Sequence, residues 1–362
     1  MRICIFAALI FLAPSIAFSA PVIDSASANP TSITIIGSGF GANSGASTPI
    51  FWDNFEGGAD NTNLVTQLAG SVPWALNNLP TAKYRTNQAH SGTKSAYALH
   101  SNNNHWSHFT VGSYATPIPD SLTYYHSFWF RYNTPQPLGT HGETKLIRMF
   151  GSLPTSSPDM PYVKTGDLGN DWWATQYRSD SADTVHSSNF TGALPTQNVW
   201  HKVEGIYKQS STGGVADGSI KIVMDGVTQI NLTNIVTRAS SSDRWIEADF
   251  FGGMTNWDMG ATGLTWEKWI DDAYLSKTWQ RVEICNIDRT HCELQPVTSW
   301  TDTSITATVN QGSFADGSAA YLFAVDASGA VSSGKSFTFG ATAVSPPTST
   351  TGTRATFRAG LK

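Results

Sequence analysis

Residues 21–41, PVIDSASANPTSITIIGSGFG, and residues 297–339, VTSWTDTSITATVNQGSFADGSAAYLFAVDASGAVSSGKSFTF, decide the fold. In the first, the β-branched run at 32–36 is followed by Gly37, Gly39 and Gly41, which suits a strand turning out through positive φ. In the second, Ser304 to Val309 alternates, and Tyr321 to Val325 and Lys335 to Phe339 supply two more strands around the turn Asp326-Ala327-Ser328-Gly329. The two stretches read as halves of one small β domain, with residues 42–296 between them. If the halves pair, the middle must be an autonomous domain with its termini close together, because an insertion survives only where it does not pull the host strands apart. The insert then carries the function and the host presents it.

Composition agrees with a β-rich chain. The 362 residues are long enough for two domains, and 14% charged, 12% aromatic, 31 Gly and 17 Pro read as turn-rich β structure. No long amphipathic helical pattern is visible. A formal net charge of -5 without a basic stripe excludes nucleic acid as an expected partner. At the N-terminus, Arg2 supplies a positive n-region, Ile3 to Phe18 an apolar run broken by Pro14, and Ala17-Phe18-Ser19 small residues for cleavage, so 1–19 reads as a signal peptide. No Cys follows at a lipoprotein position, and no second apolar stretch approaches the roughly 18 residues of a span. The mature protein is expected to be secreted or otherwise extracytoplasmic, without stable membrane insertion. Cys4 leaves with the signal, and Cys285 and Cys292, spaced as CNIDRTHC, are expected to form a disulfide closing a short junction at 285–293. Zinc is the rival reading, and two Cys with only His291 between them are too few ligands.

The terminal halves resemble an IPT/TIG domain, an immunoglobulin-like module. The residues that carry the resemblance are Ile33 to Gly41, Trp300 to Thr306 and Gly329 to Phe337. It implies a discontinuous small β-sandwich at 20–48 plus 294–340, which positions or binds other domains and brings no catalytic residue with it. The last segment, 341–362, is Pro/Ser/Thr-rich and is expected to be a flexible tail.

Within 49–284 the order is FWDNFEGG (51–58), SGTKSAYALHS (91–101), YYHSFWFRYN (124–133), VWHKVEGIYKQ (199–209), DGSIKIVMDGVTQI (217–230) and WIDDAYLSKTWQRVEI (269–284). This order resembles a concanavalin A-like jelly roll, the two-sheet sandwich of legume-type lectins, laminin G-like modules and many glucanases and polysaccharide lyases. The expected fold is therefore all-β: a jelly roll inserted into a small immunoglobulin-like sandwich. A polysaccharide is the partner the resemblance implies.

Saccharide recognition needs aromatic planes for sugar C–H faces with amides and charges for hydroxyls. In Tyr124 to Tyr132 one alternating face, Tyr124, His126, Phe128, Phe130 and Tyr132, reads as core, which leaves Trp129 and Arg131 to look into a groove. Trp172, Trp173 and Arg178 form the second binding set. The paired-carboxylate run E-x-D-x-(x)-E of retaining glucanases is absent, for Glu204, Glu247, Glu267, Asp271 and Asp272 do not reproduce it. A lyase acting by β-elimination needs a charge neutraliser and a base, and the candidates are Arg131, Lys145, Gln176 and Tyr177. The R-x-E-L, Q-I-H and Y-F-K-A-G patterns of alginate lyases with this fold are absent. His126, among aromatic strand partners, reads as core, and Lys202 with Glu204 as a solvated cross-strand pair. The resemblance also implies a structural Ca²⁺ held by Asp53, Glu56 and Asp272, with Asp271 as alternate; the competing reading has these acids capping turns. No cofactor is required. The expected function is polysaccharide binding by a secreted or cell-surface protein; the alternatives are a lyase on a uronic-acid polymer and a non-catalytic adhesive or envelope protein.

Overall fold

Thr123–Tyr132 shows how this sequence builds its layers. Its aromatic residues favour a pleated strand, and the pleat sends Tyr124, Phe128, Phe130 and Tyr132 into a large core with Phe51, Trp74, Trp245, Phe250 and Trp266. Tyr125, on the opposite side, belongs to a second cluster with Trp52, Tyr274 and Leu294. A strand buried on both faces lies in a middle layer, and this one does.

The computed structural model describes residues 19–42, 47–64, 69–75, 82–100, 109–133, 143–151, 162–165, 173–178, 185–189, 195–251, 254–255 and 266–339. Every regular element among them is a β-strand, and all pairings are antiparallel, in four sheets. The fold is all-β: a large jelly-roll sandwich of two sheets, backed by a smaller sandwich.

The nine-stranded sheet of the large sandwich runs Val227–Ile235, Gly218–Met224, His201–Lys208, Thr123–Tyr132, Trp266–Ser276, Phe51–Asp53 and Ala69–Gly70, with Ser95–His100 also on Trp266–Ser276 and Lys83–Arg85 beyond it. Facing it across the core, the seven-stranded sheet runs Val185–Asn189, Trp173–Arg178, Tyr162–Thr165, Glu143–Gly151, Trp245–Phe250 and Thr110–Val111, with Met254–Thr255 also on Glu143–Gly151. Phe51–Asp53 enters this sandwich directly beside Trp266–Ser276, which leaves it, with Asp53 opposite Ala273. Entry and exit are thus neighbours.

The small sandwich draws on both chain ends. Ser32–Ser38 pairs with Ser304–Thr308, Ile35 opposite Ile305, in a sheet completed by Val22–Ala28 and Val297–Trp300. Trp300 Nε1 donates to the Gly41 carbonyl at 3.1 Å, and Gly39 and Gly41 take the positive φ (69° and 81°) that the outgoing turn requires. The second sheet comprises Cys292–Gln295, Arg281–Cys285, Ala319–Val325 and Lys335–Thr338. The sequence places the end of the insert at 284 and a junction at 285–293, whereas both 281–285 and 292–295 are strands of the small sandwich. The reason is that Val282 and Ile284 pack into its core with Ile33, Ile35, Leu322 and Trp300. Cys285 lies opposite Cys292 in that hairpin, and the two are disulfide-bonded.

Candidate functional site

In the seven-stranded sheet, Ile147 and Met149 face Phe250 and Ala248 in the core, so the alternate positions on both strands lie on the outer face. The register there forms one row across six strands. Thr110 is opposite Asp249, Asp249 opposite Arg148, Arg148 opposite Tyr162, Tyr162 opposite Gln176, and Gln176 opposite Ser187. A neighbouring row sets Lys145 opposite Lys164, Lys164 opposite Ala174 and Ala174 opposite Asn189, after an irregularity in the Tyr162 to Lys164 pairing.

Where side chains are described, this face is charged and tied together. Arg148 pairs with Asp249, whose other oxygen accepts from Thr110 Oγ1 at 2.6 Å, and the Arg148 guanidinium lies 5.0 Å over the Phe150 ring. Glu247, opposite Phe150, has its pKa raised to about 7, chiefly by burial and then by the Asp249 charge, with Arg148 opposing. A carboxyl that holds its proton near neutrality beside a guanidinium is suited to acid–base chemistry.

The residues singled out from sequence fall into three places. Lys145 and Gln176 lie in the seven-stranded sheet, with Lys145 buried. Tyr177 is opposite His186, one residue out of step with Gln176, so the two belong to opposite faces of the pleat. Trp173 is opposite Thr165 and shares the parity of Tyr177, while Arg178, opposite Val185, shares that of Gln176. Trp172 lies outside the described residues.

Trp129 and Arg131 belong to the other sheet, on the side that turns toward the small sandwich. Trp129 is 8% exposed and stacks on His90 with ring centroids 3.7 Å apart, so it lines no saccharide groove. The Arg131 pKa is lowered by burial. Alternation identified the non-core face of this strand correctly, but what covers that face is a second module. His126 is buried, edge-on to Phe250 at 4.1 Å, in keeping with a core residue. Lys202 and Glu204 are not a solvated pair. Lys202 Nζ donates to the Cys292 carbonyl at 3.1 Å, and Glu204 accepts from the Tyr125 hydroxyl beside Arg281.

The three acids nominated for calcium do not converge. Asp53 accepts from Phe55 N–H (2.8 Å) and Trp74 Nε1 (3.0 Å); Glu56 accepts from the Thr93 and Lys94 N–H groups, both at 2.8 Å. Asp272 accepts from Ser91 Oγ at 2.9 Å, and Asp271 from the His90 N–H at 2.9 Å. Each acid answers local N–H or O–H donors, and among the described residues the three-ligand clusters form elsewhere. These residues do not fit a shared calcium ion.

One feature of the molecule escaped sequence reading altogether. A cleft of about 620 Å³ opens between the sandwiches, lined by Lys202, Lys221, Trp279, Arg281, Arg289 and Glu204 among others. Its walls come from two modules, and no local pattern signals such a meeting.

No family model matches the chain, and no curated protein matches it. Among solved structures it is similar to an endo-β-1,4-glucuronan lyase from the fungus Trichoderma reesei, at 15% identity over 64% of this chain and 97% of that one, with a TM-score of 0.46. It is also similar to the alginate lyase Aly36B (13% identity, 63% and 97% covered, TM-score 0.44). The marine PL-14 alginate lyase from Aplysia kurodai is a third (10% identity, 63% and 98% covered, TM-score 0.43).

Proposed function

We propose that this is a secreted protein that acts on an anionic polysaccharide at the outer face of the seven-stranded sheet, as a polysaccharide lyase, with the small sandwich as its carrier. The observation that carries the reading is the cross-strand row Asp249, Arg148, Tyr162, Gln176, flanked by the lysine positions 145 and 164. β-Elimination from a uronate needs its carboxylate neutralised so that the C5 proton becomes acidic, a base to take that proton, and a proton for the departing oxygen. Arg148 and Gln176 flank Tyr162 in register, which suits neutraliser, base, neutraliser. As the phenolate, Tyr162 takes the C5 proton and becomes the neutral phenol, a C4–C5 double bond forms, the C4–O bond breaks, and protonated Glu247 gives its proton to the leaving oxygen. The disulfide agrees with an oxidising compartment.

One observation favours a second reading. Arg148 is already paired with Asp249, which reduces the charge it offers, and a face of this kind serves retention as well as chemistry. Incubation with a panel of polyuronates and neutral polysaccharides, reading both ultraviolet absorbance of unsaturated ends and co-sedimentation, separates the two. Unsaturated products, lowered at least about a hundredfold in Tyr162→Phe and Arg148→Ala, are expected. Co-sedimentation without products would leave a binding module, and neither signal on any glycan would sink both.

A further inference from the structure

The seam between the sandwiches brings together side chains that neither module explains alone. His90 comes from the loop ahead of Ser95–His100 in the large sandwich, and His291 and Glu293 from the disulfide-closed hairpin of the small one. Their candidate ligand atoms all lie within 4.8 Å of one another. His291 Nε2 is 2.8 Å from Glu293 Oε1, and His90 Nδ1 is 3.9 Å from the same oxygen and 3.6 Å from Asp272 Oδ2. Ligand atoms around one tetrahedral zinc are about 3.4 Å apart, so little adjustment separates this cluster from such a site.

Two buried polar atoms in this cluster have no hydrogen-bond partner among the described residues. His90 has 9% of its side chain exposed, and its Nδ1, 3.6 Å from Asp272 Oδ2, makes no hydrogen bond among the described residues. Glu293, at 1% exposed, uses Oε1 for Ser313 N–H and Oγ (both 3.1 Å) as well as His291, whose Nε2 also lies 2.8 Å from Ser313 Oγ, while its buried Oε2 has no hydrogen-bond partner among the described residues. Leaving such atoms unpaired costs free energy, and a cation between them removes the cost. Both imidazoles are also held in place before any ion arrives. His90 stacks on Trp129 at 3.7 Å, and His291 on Phe314 at 4.4 Å with an interplanar angle of 3°.

We infer that His90, His291 and Glu293 bind a divalent transition-metal ion of the zinc class that staples the large sandwich to the small one. Two imidazole nitrogens select zinc, cobalt or nickel over calcium or magnesium, which take oxygen ligands. The zinc reading of Cys285 and Cys292 with His291 between them has too few ligands because the disulfide occupies both sulfurs, and His291 finds its partners instead in His90 and Glu293.

The test uses tag-free, non-reduced, chelator-treated full chain. Titration with Zn²⁺ is expected to give one ion per chain and a raised Tm, and Co²⁺ to give visible d–d bands of a tetrahedral site. His291→Ala, at a partly exposed position, is expected to weaken Zn²⁺ binding at least about a hundredfold and abolish the Tm rise, as is Glu293→Gln. His201→Ala, which removes a histidine paired with Asp225 elsewhere, is expected to leave binding unchanged. Absence of stoichiometric uptake would overturn the inference, as would equal binding by His291→Ala and the parent chain, or loss of binding in His201→Ala.

Discussion

Two titratable residues, His126 buried and Glu247 half-buried, turn local environment into measurable behaviour. His126 has its pKa lowered to about 3, first by burial, with Asp249 opposing. Its unfolded counterpart takes up a proton near 6.5, so between pH 6.5 and 3 the unfolded chain holds more protons and stability falls as pH drops. That corresponds to a penalty of about 3 kcal/mol by pH 4. His126→Phe, among aromatic neighbours, is expected to lose less urea-midpoint stability between pH 7 and pH 4 than the parent. An identical loss would place the acid sensitivity elsewhere. Glu247 runs the other way. Its pKa rises from 4.5 to about 7, so in that window the native state keeps a proton the unfolded chain has lost, and stability falls as pH increases. Glu247→Gln is expected to flatten the stability–pH curve between pH 5 and 7; an unchanged slope in denaturant melts would contradict the burial and charge argument.

Among the elements, the disulfide hairpin carries both halves of the seam. Arg281–Cys285 and Cys292–Gln295 bring Val282 and Ile284 to the small core, Leu294 to Trp52 and Tyr125, and Glu293 to the histidine cluster. The bond closes a short loop, a sequence separation of 7, and in the chain-entropy account it contributes roughly 2 to 3 kcal/mol. Cys285→Ser with Cys292→Ser is expected to lower unfolding free energy by about that amount. A loss under about 0.5 kcal/mol would mean that strand pairing alone holds the hairpin. The outer-face row of the seven-stranded sheet is likewise a property of paired strands, since only register sets Tyr162 between Arg148 and Gln176.

For the whole molecule, the two sandwiches are joined by a buried ionic seam as well as by aromatic packing. Arg281 donates to Glu283 at 2.6 Å, lies near Glu204 at 3.9 Å and covers the Tyr125 ring at 4.5 Å, while Arg289 donates to Glu283 at 2.5 Å. These guanidiniums, Arg281 first, together with Lys202, outweigh burial and hold the Glu283 carboxyl well below the usual carboxylate range. Arg281→Ala leaves Glu283 and Glu204 short of a partner in a buried place and is expected to cost about 3 to 5 kcal/mol. In calorimetry the two sandwiches are then expected to unfold in separate transitions; one unshifted transition would show that the seam contributes little.

The sequence by itself determined the all-β class, the strands around Ile33, Ser304, Tyr321 and Lys335, the core face of Thr123–Tyr132 and the cysteine pair. Each is written in local order: β-branched and aromatic runs, glycines at turns, a period of two, two cysteines seven apart. Only the tertiary structure decided what lies against a strand's second face, which set Trp129 against His90 instead of a sugar. It alone decided which positions on different strands share a row, because register depends on partners far away in sequence. The same holds for His90, His291 and Glu293, which meet only because the chain leaves the large sandwich beside the point where it entered, and then pairs its two ends.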